Sequence, residues 1–169
     1  MFTIRVFGAP APQGSKNPYG GESSKRVGPW RTQVAQTIGF ARRDVPLLTG
    51  PVKVVVTFAF TRPKKHYVAN NPERGLRPDA PFWHTAPGDT DKLCRAIGDA
   101  LTKVVWVDDR QVAWWDARKI YGEKAYADIT IIDLEHQAGG SDDQLRDTGA
   151  PAGASTGDAG AHDLRPMAA

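Results

Sequence analysis

The stretch PGDTDKLCRAIGDALTKVVWVDDRQV, from Pro87 to Val112, places two acidic pairs on either side of an apolar segment. The pairs are Asp89/Asp91 and Asp108/Asp109. Between them, apolar residues recur at the helical spacing i, i+3, i+4, i+7 and i+8, namely Leu93, Ala96, Ile97, Ala100 and Leu101. This stripe predicts a helix that packs against a core, with the carboxylates at its two ends.

Carboxylates that converge from two chain segments repel one another unless a cation lies among them. Mg²⁺ prefers oxygen ligands, and proteins commonly hold it with one or two carboxylates while water and substrate phosphates complete the shell. The acidic pairs therefore predict a divalent-metal site that is suited to phosphoryl chemistry.

Each carboxylate also has a purely structural interpretation. Asp89 could occupy a helix N-cap, and the Asp108-Asp109 pair could form a turn before a strand. Arg95 stands four residues from both Asp91 and Asp99, which is the spacing of surface ion pairs on a helix. The acidic residues by themselves leave both interpretations open.

The composition predicts one soluble, intracellular globular domain. The chain has 169 residues, of which 40% are hydrophobic and 24% charged, and no apolar run approaches the length of a membrane span. We expect the lone cysteine, Cys94, to be a buried small apolar residue of the predicted helix. The four histidines (His66, His84, His136, His162) lack the spacing of a zinc site.

The formal charge of +3 conceals an asymmetry along the chain. Five aspartates outweigh two arginines after residue 135, so this tail carries −3 of the total and residues 1–135 carry +6. A basic body is compatible with a polyanionic partner, and equally with a solvated basic surface. The tail is rich in Gly, Ala, Ser and Asp, which predicts disorder for residues 136–169.

Hydrophobic periodicity predicts the remaining elements of the body. These are a strand over Phe2–Phe7, a helix from Pro29 to about Arg43, and a strand over Pro51–Thr61. Two further strands, Gln111–Tyr121 and Ala125–Leu134, are predicted to pair as a hairpin around Gly122.

Two irregular segments carry basic residues that could contact phosphates. The first follows Gly8 and holds Lys16, Lys25 and Arg26, and the second runs from Arg62 to Gly88 and holds Lys64 and Lys65. Long irregular segments inside a compact domain are usually functional or mobile. The first could instead be a plain surface connection, and the second a disordered surface loop.

The segment DTDKLCRAIGDALTKVVWVDDRQV closely resembles the core signature of the RusA family of Holliday junction resolvases. That signature is an Asp-x-Asp pair, a helix ending in Asp-Ala-Leu, and an Asp-Asp-x-Gln-Val segment. The preceding FWHTAPGD and the early APAPQGSKNPYG, followed by PWR, are similar to phage and prophage members. The resemblance spans most of the chain from Met1 to about Leu134.

This resemblance implies a compact α/β fold of the α+β type, with a small mixed sheet and two main helices, over residues 1–135. It also implies a cytoplasmic homodimer in a bacterial host. The activity it implies is Mg²⁺-dependent nicking of four-way DNA junctions, with Mn²⁺ as a possible substitute. The alternative is a non-catalytic module that binds branched DNA and uses its acidic cluster structurally.

Carried over by position, the resemblance implies catalytic carboxylates at Asp89, Asp91 and Asp109, with Asp108 as a supporting metal ligand. Arg95 matches an essential lysine of the family, and Lys92 stands where asparagine is frequent. The predicted nucleic-acid contacts are Lys16, Lys25, Arg26, Lys64, Lys65, Lys92 and Arg95.

Overall fold

The computed structural model describes residues 1–14 and 24–135. Within them a four-stranded mixed sheet packs against two α-helices, as predicted. The strands are β1 (Phe2–Phe7), β2 (Val52–Thr61), β3 (Val112–Gly122) and β4 (Tyr126–Asp133), and the helices are α1 (Val27–Ala41) and α2 (Thr90–Leu101). The tail predicted to be disordered lies outside the described residues, so that expectation stays a prediction.

The sheet has the strand order β1-β4-β2-β3. The inner strand β2 runs parallel to β3 and antiparallel to β4, and β4 also pairs antiparallel with β1. The sequence of β2, VKVVVTFAFT, is rich in β-branched and aromatic residues, and it has buried residues on both faces, such as Phe58 and Ala59. Such a strand buries more apolar surface in the centre of a sheet than at its edge.

The predicted hairpin between the last two strands is wrong. β3 and β4 lie on opposite sides of β2, and the short link between them passes the end of that strand. The backbone N–H of Arg62, the residue after β2, donates to the carbonyl of Gly122 at 2.9 Å. A turn motif predicts where the chain reverses direction, but it does not predict which strands pair. Here β3 and β4 each pair with one edge of β2.

Both helices contribute to the core on one face of the sheet. α1 supplies Trp30, Val34 and Ile38, and α2 supplies its predicted apolar stripe, against sheet residues such as Val54, Val56 and Phe58. α1 begins two residues before Pro29, which is accommodated because the first N–H groups of a helix have no intrahelical partner. Cys94 is 8% exposed, which confirms its predicted burial.

The connection between β2 and α2 contains three short 3-10 turns and then attaches to the outer edge of β3. The amide of Tyr121 donates to the carbonyl of Phe82 at 2.9 Å, and the amide of His84 donates to the carbonyl of Lys119 at 3.1 Å. These bonds hold the segment just before the Asp-x-Asp pair against the sheet. In the described part of the chain, no helix has the length and apolar character needed to cross a membrane.

Candidate active site

An open cavity of about 490 Å³ lies between α2, the turn at Asp109 and β3. It brings together one member of each predicted acidic pair, Asp91 and Asp109, with the predicted cation Arg95. The remaining lining residues are mostly small or apolar: Thr90, Cys94, Gly98, Trp115 and Ala117. The fold thus assembles an acidic pocket from residues that lie on separate elements.

Helix periodicity and a tight turn position the two carboxylates. Asp91 lies in the first turn of α2, and Arg95 and Gly98 follow it at i+4 and i+7 on the same face. Asp109 begins a 3-10 turn over Asp109–Gln111 that returns the chain toward α2. A Cβ atom on Gly98 would lie 3.8 Å from Oδ2 of Asp109, so this carboxylate sits directly against the helix.

Asp89 occupies the N-cap position of α2, but its side chain makes no capping hydrogen bond. Its carboxylate instead forms an ion pair with Lys92, with Nζ 2.8 Å from Oδ2. The hydrogen bond from Lys92 lowers the pKa of Asp89 below its ordinary value, and the charge of Lys119 acts in the same direction. Asp89 is therefore an exposed, ionised group beside the cavity lining rather than part of it.

Asp108 has the contacts of a structural turn residue. Its Oδ1 accepts from the amide of Arg110 at 3.1 Å, and its Oδ2 lies 3.3 Å from the Arg110 guanidinium. Its own amide donates to Oε1 of Gln111, which completes a capping box. The turn interpretation accounts for this residue, and the supporting-ligand role of Asp108 stays a prediction.

Gln111 is a residue whose role the sequence reasoning missed. Its Nε2 donates to the carbonyls of Leu48 and Gly50, at 2.9 and 3.0 Å, while its Oε1 accepts from the amides of Val107 and Asp108. One side chain therefore ties the turn that carries Asp109 to the segment that leads into β2. The Gln of the Asp-Asp-x-Gln-Val motif was the available signal, because an amide satisfies donors and acceptors at once.

Arg95 is a cation with no ion pair or hydrogen bond among the described residues, although both Asp91 and Asp99 stand at helical spacing from it. Asp99 pairs with Arg31 of α1 instead, at 3.4 Å. The Arg95 side chain thus brings a positive charge to the lining of the cavity.

Of the other predicted nucleic-acid contacts, those that the structure describes are not among the residues that line the cavity. Lys25 and Arg26 are exposed just before α1, and Lys64 and Lys65 are exposed in a short turn after β2. Lys16 lies outside the described residues. Lys92 forms the ion pair with Asp89 noted above, and this contact raises the pKa of the lysine.

The donor set of the cavity fits a hard divalent cation held by two protein carboxylates. No group of three or more His, Cys, Asp or Glu side chains in residues 1–14 and 24–135 could hold a metal ion by itself. Asp91 and Asp109 supply the one or two carboxylates that commonly suffice for Mg²⁺ when water and phosphate oxygens complete the shell. In a site of this kind, phosphate oxygens of the substrate complete the ligand shell of the metal.

The fold and the cavity define a small α+β protein with a carboxylate-lined pocket beside the N-terminal turn of a helix. A family model described as "Endodeoxyribonuclease RusA" matches residues 10–132. The chain belongs to the RusA family of endodeoxyribonucleases, which resolve Holliday junctions, and the predicted resemblance is confirmed. A comparison with the curated proteins found no match.

Family membership establishes the coarse activity. Members are nucleases that act on branched DNA and generally depend on divalent metal ions.

Proposed function

We propose that this protein is a Mg²⁺-dependent, structure-selective endodeoxyribonuclease that resolves four-way DNA junctions by paired phosphodiester hydrolysis. The observation that carries the proposal is the shared cavity of Asp91, Asp109 and Arg95. The carboxylates of Asp91 and Asp109 provide two oxygen ligands for a metal cation. Arg95 provides a permanent positive charge for the scissile phosphate.

In this proposal Asp91 and Asp109 hold the metal, and Asp89 joins them once it exchanges its contact with Lys92. A divalent ion held there would lower the pKa of a water molecule and polarise the phosphate. Arg95 binds a phosphate oxygen and cannot exchange a proton, because a guanidinium stays charged. The water oxygen bonds to phosphorus and the bond to the 3′ oxygen breaks, which leaves 5′-phosphate and 3′-hydroxyl ends that can be resealed.

Before the metal binds, the ionised carboxylates of the cavity oppose the binding of DNA. Asp91 and Asp109 repel the DNA phosphates, and this repulsion weakens binding of the junction in the absence of a cation. The ion pair between Lys92 and Asp89 offsets part of the local negative charge. We propose that Lys92 turns to a phosphate when Asp89 turns to the metal.

Paired nicking needs two active sites on one junction, so we propose a homodimer. Mn²⁺ is expected to replace Mg²⁺, because it shares the preference for oxygen ligands. The similarity of FWHTAPGD and the early Pro-rich segment to phage and prophage members supports a role in recombination or branched-DNA processing in the host cytoplasm.

The second candidate is a non-catalytic module that binds branched DNA. It is favoured by the contacts of Asp89 and Asp108, which are already paired with Lys92 and Arg110 and need no metal to balance them. This candidate requires no divalent ion and should tolerate Asp91→Asn.

The test is cleavage of a labelled synthetic four-way junction beside a linear duplex of the same sequence, with Mg²⁺ or with EDTA. The proteins are the wild type, Asp91→Asn, and the control Asp116→Asn, whose exposed carboxylate alternates with the cavity residues Trp115 and Ala117 on β3. We expect metal-dependent paired nicks on the junction from the wild type and the control, and binding without nicking from Asp91→Asn. Tight junction binding with no nicks under Mg²⁺ or Mn²⁺ would support the binding module instead.

A further inference from the structure

Lys119 lies on β3 at the end of the row of residues that lines the acidic cavity. Successive side chains of a strand alternate between faces, so Trp115, Ala117 and Lys119 share one face. The first two line the cavity. In the parallel pairing with β2, these three residues stand opposite the core residues Val54, Val56 and Phe58. A lysine on this face is unusual, because its neighbours along the row are apolar.

The side chain of Lys119 reaches from the sheet to the residue before Asp89. Its Nζ donates to the carbonyl of Gly88 at 2.7 Å, in a partly buried hydrogen bond. The backbone carbonyl of Lys119 accepts from the amide of His84 at 3.1 Å. One residue therefore fixes both ends of the segment from His84 to Gly88, immediately before the Asp-x-Asp pair.

The conformation of Gly88 shows why such an anchor is useful. Its φ of +117° lies in a region that residues other than glycine rarely adopt, and the chain changes direction there before α2 begins. The next residue, Asp89, has an extended backbone and starts the helix. A hydrogen bond to the Gly88 carbonyl fixes the orientation of this peptide plane, and with it the direction in which Asp89 leaves the loop.

The ammonium group of Lys119 also has no carboxylate partner among the described residues. Among the described residues Lys119 forms no ion pair, and Gly88 is the acceptor that its Nζ uses. Its positive charge contributes to the lowered pKa of Asp89. Lys119 is thus a partly buried cation that acts on the acidic segment from the sheet side.

We infer that Lys119 is a positioning residue of the metal site: through the Gly88 carbonyl it holds the turn that aims Asp89 and Asp91 toward Asp109. This inference rests on the proposed function, since it assigns these aspartates to a metal. Lys119 acts through the backbone and touches neither the metal nor the DNA. Groups that orient metal ligands typically contribute 10- to 100-fold to metal affinity or activity.

The test compares Lys119→Met, which keeps the apolar stem and removes the ammonium, with Lys119→Arg, which keeps a cation. The control is Lys124→Met, an exposed lysine in the link after the same strand. The first readout is Mn²⁺ affinity of the protein without DNA, followed by the paramagnetic signal of the free ion. We expect about 10-fold or greater weakening in Lys119→Met, partial recovery in Lys119→Arg, and wild-type affinity in the control.

Two further readouts separate positioning from a general structural effect. Hydrogen exchange at the Leu93 amide, which donates to the Asp89 carbonyl at the start of α2, should accelerate in metal-free Lys119→Met but not in the control. Single-turnover nicking of the junction should slow while the junction Kd stays within about twofold of the wild-type value, since Lys119 does not contact DNA in this inference.

A double-mutant comparison tests whether Lys119 acts through Asp89. In an Asp89→Asn background, Lys119→Met should cause a smaller loss of Mn²⁺ affinity than in the wild type, because only Asp91 is left for the turn to position. Fully additive losses would overturn the inference, as would a weaker junction Kd with unchanged Mn²⁺ affinity, which would make Lys119 a DNA contact. A wild type that binds Mn²⁺ and junctions but never nicks would refute the proposed function, and the Mn²⁺ comparison would still decide the role of Lys119.

Discussion

Asp91 of α2 and Asp109 of the following turn line the same cavity, with Gly98 of the helix directly against the Asp109 carboxylate. The helix leads away from Asp91, and the segment after it brings the chain back so that Asp109 meets the same helical face. The juxtaposition of two carboxylates on an open pocket is the feature from which the nuclease proposal follows.

Replacement of Asp109 by asparagine should separate catalysis from binding. Asp109→Asn removes one of two charged oxygen ligands in the cavity, so we expect nicking to fall by at least about 100-fold. Junction binding in EDTA should stay equal or become tighter, because the variant repels phosphate less. Gel-shift titration and single-turnover cleavage measure the two effects. Asp116→Asn serves as the control of equal charge, and a similar loss of nicking there would contradict the assignment.

Arg95 should act as a phosphate contact, since it has no partner among the described residues. Arg95→Ala should weaken junction binding and reduce the slope of log K against log salt concentration by about 1, as expected for one lost phosphate contact. Arg95→Lys should keep most of the slope. Fluorescence anisotropy at several salt concentrations measures it. Arg43→Ala, which removes a guanidinium already paired with Asp44, is the control, and an equal change there would argue against a specific role for Arg95.

Gln111 should contribute more to stability than an ordinary turn residue. Gln111→Leu removes the partners of two backbone carbonyls and two backbone amides, most of them partly buried. We expect the free energy of unfolding to fall by about 2–4 kcal/mol, as measured by urea denaturation. The control is Asn71→Ala, which removes one exposed capping bond and should cost about 1 kcal/mol or less. Equal losses of stability in the two variants would contradict a larger contribution from Gln111.

The buried His66 should make the protein less stable in mild acid. Burial lowers the pKa of its imidazole below 6.5, and the charges of Arg62 and Lys65 lower it further. Because the folded-state pKa is lower than the unfolded one, the unfolded state binds more protons in this window and stability falls as the pH drops through about 6.5. His66→Phe keeps a ring against Tyr121 and removes this titration.

Urea unfolding at pH 7.5, 6.5 and 5.5 measures the effect of His66. We expect the wild type to lose more stability over this range than His66→Phe. Among the described residues His84 is also a buried histidine; its burial lowers its pKa, and it is retained in both proteins. Parallel pH profiles for the two proteins would contradict a contribution from His66.

Much of the local structure could be predicted from the sequence. The four strands and two helices are confirmed with bounds shifted by a few residues at most, because period-2 and period-3.6 apolar patterns report directly which side of an element is buried. The family was also readable, since the Asp-x-Asp and Asp-Asp-x-Gln-Val segments are local in sequence. The pairing of β3 with β4 was mispredicted, because adjacency along the chain does not specify adjacency in a sheet.

The carboxylates of the candidate site also separate what the sequence predicts from what only the folded chain shows. The sequence by itself determined the family, the elements and the acidic residues, because each depends on short-range pattern. Only the tertiary structure decided that Asp91 and Asp109 share a cavity while Asp89 pairs with Lys92 and Asp108 caps a turn. It also revealed Gln111 and Lys119 as the residues that anchor the two acidic segments. Hydrogen bonds between residues far apart in the chain leave no periodic signal, so they become visible only once the chain is folded.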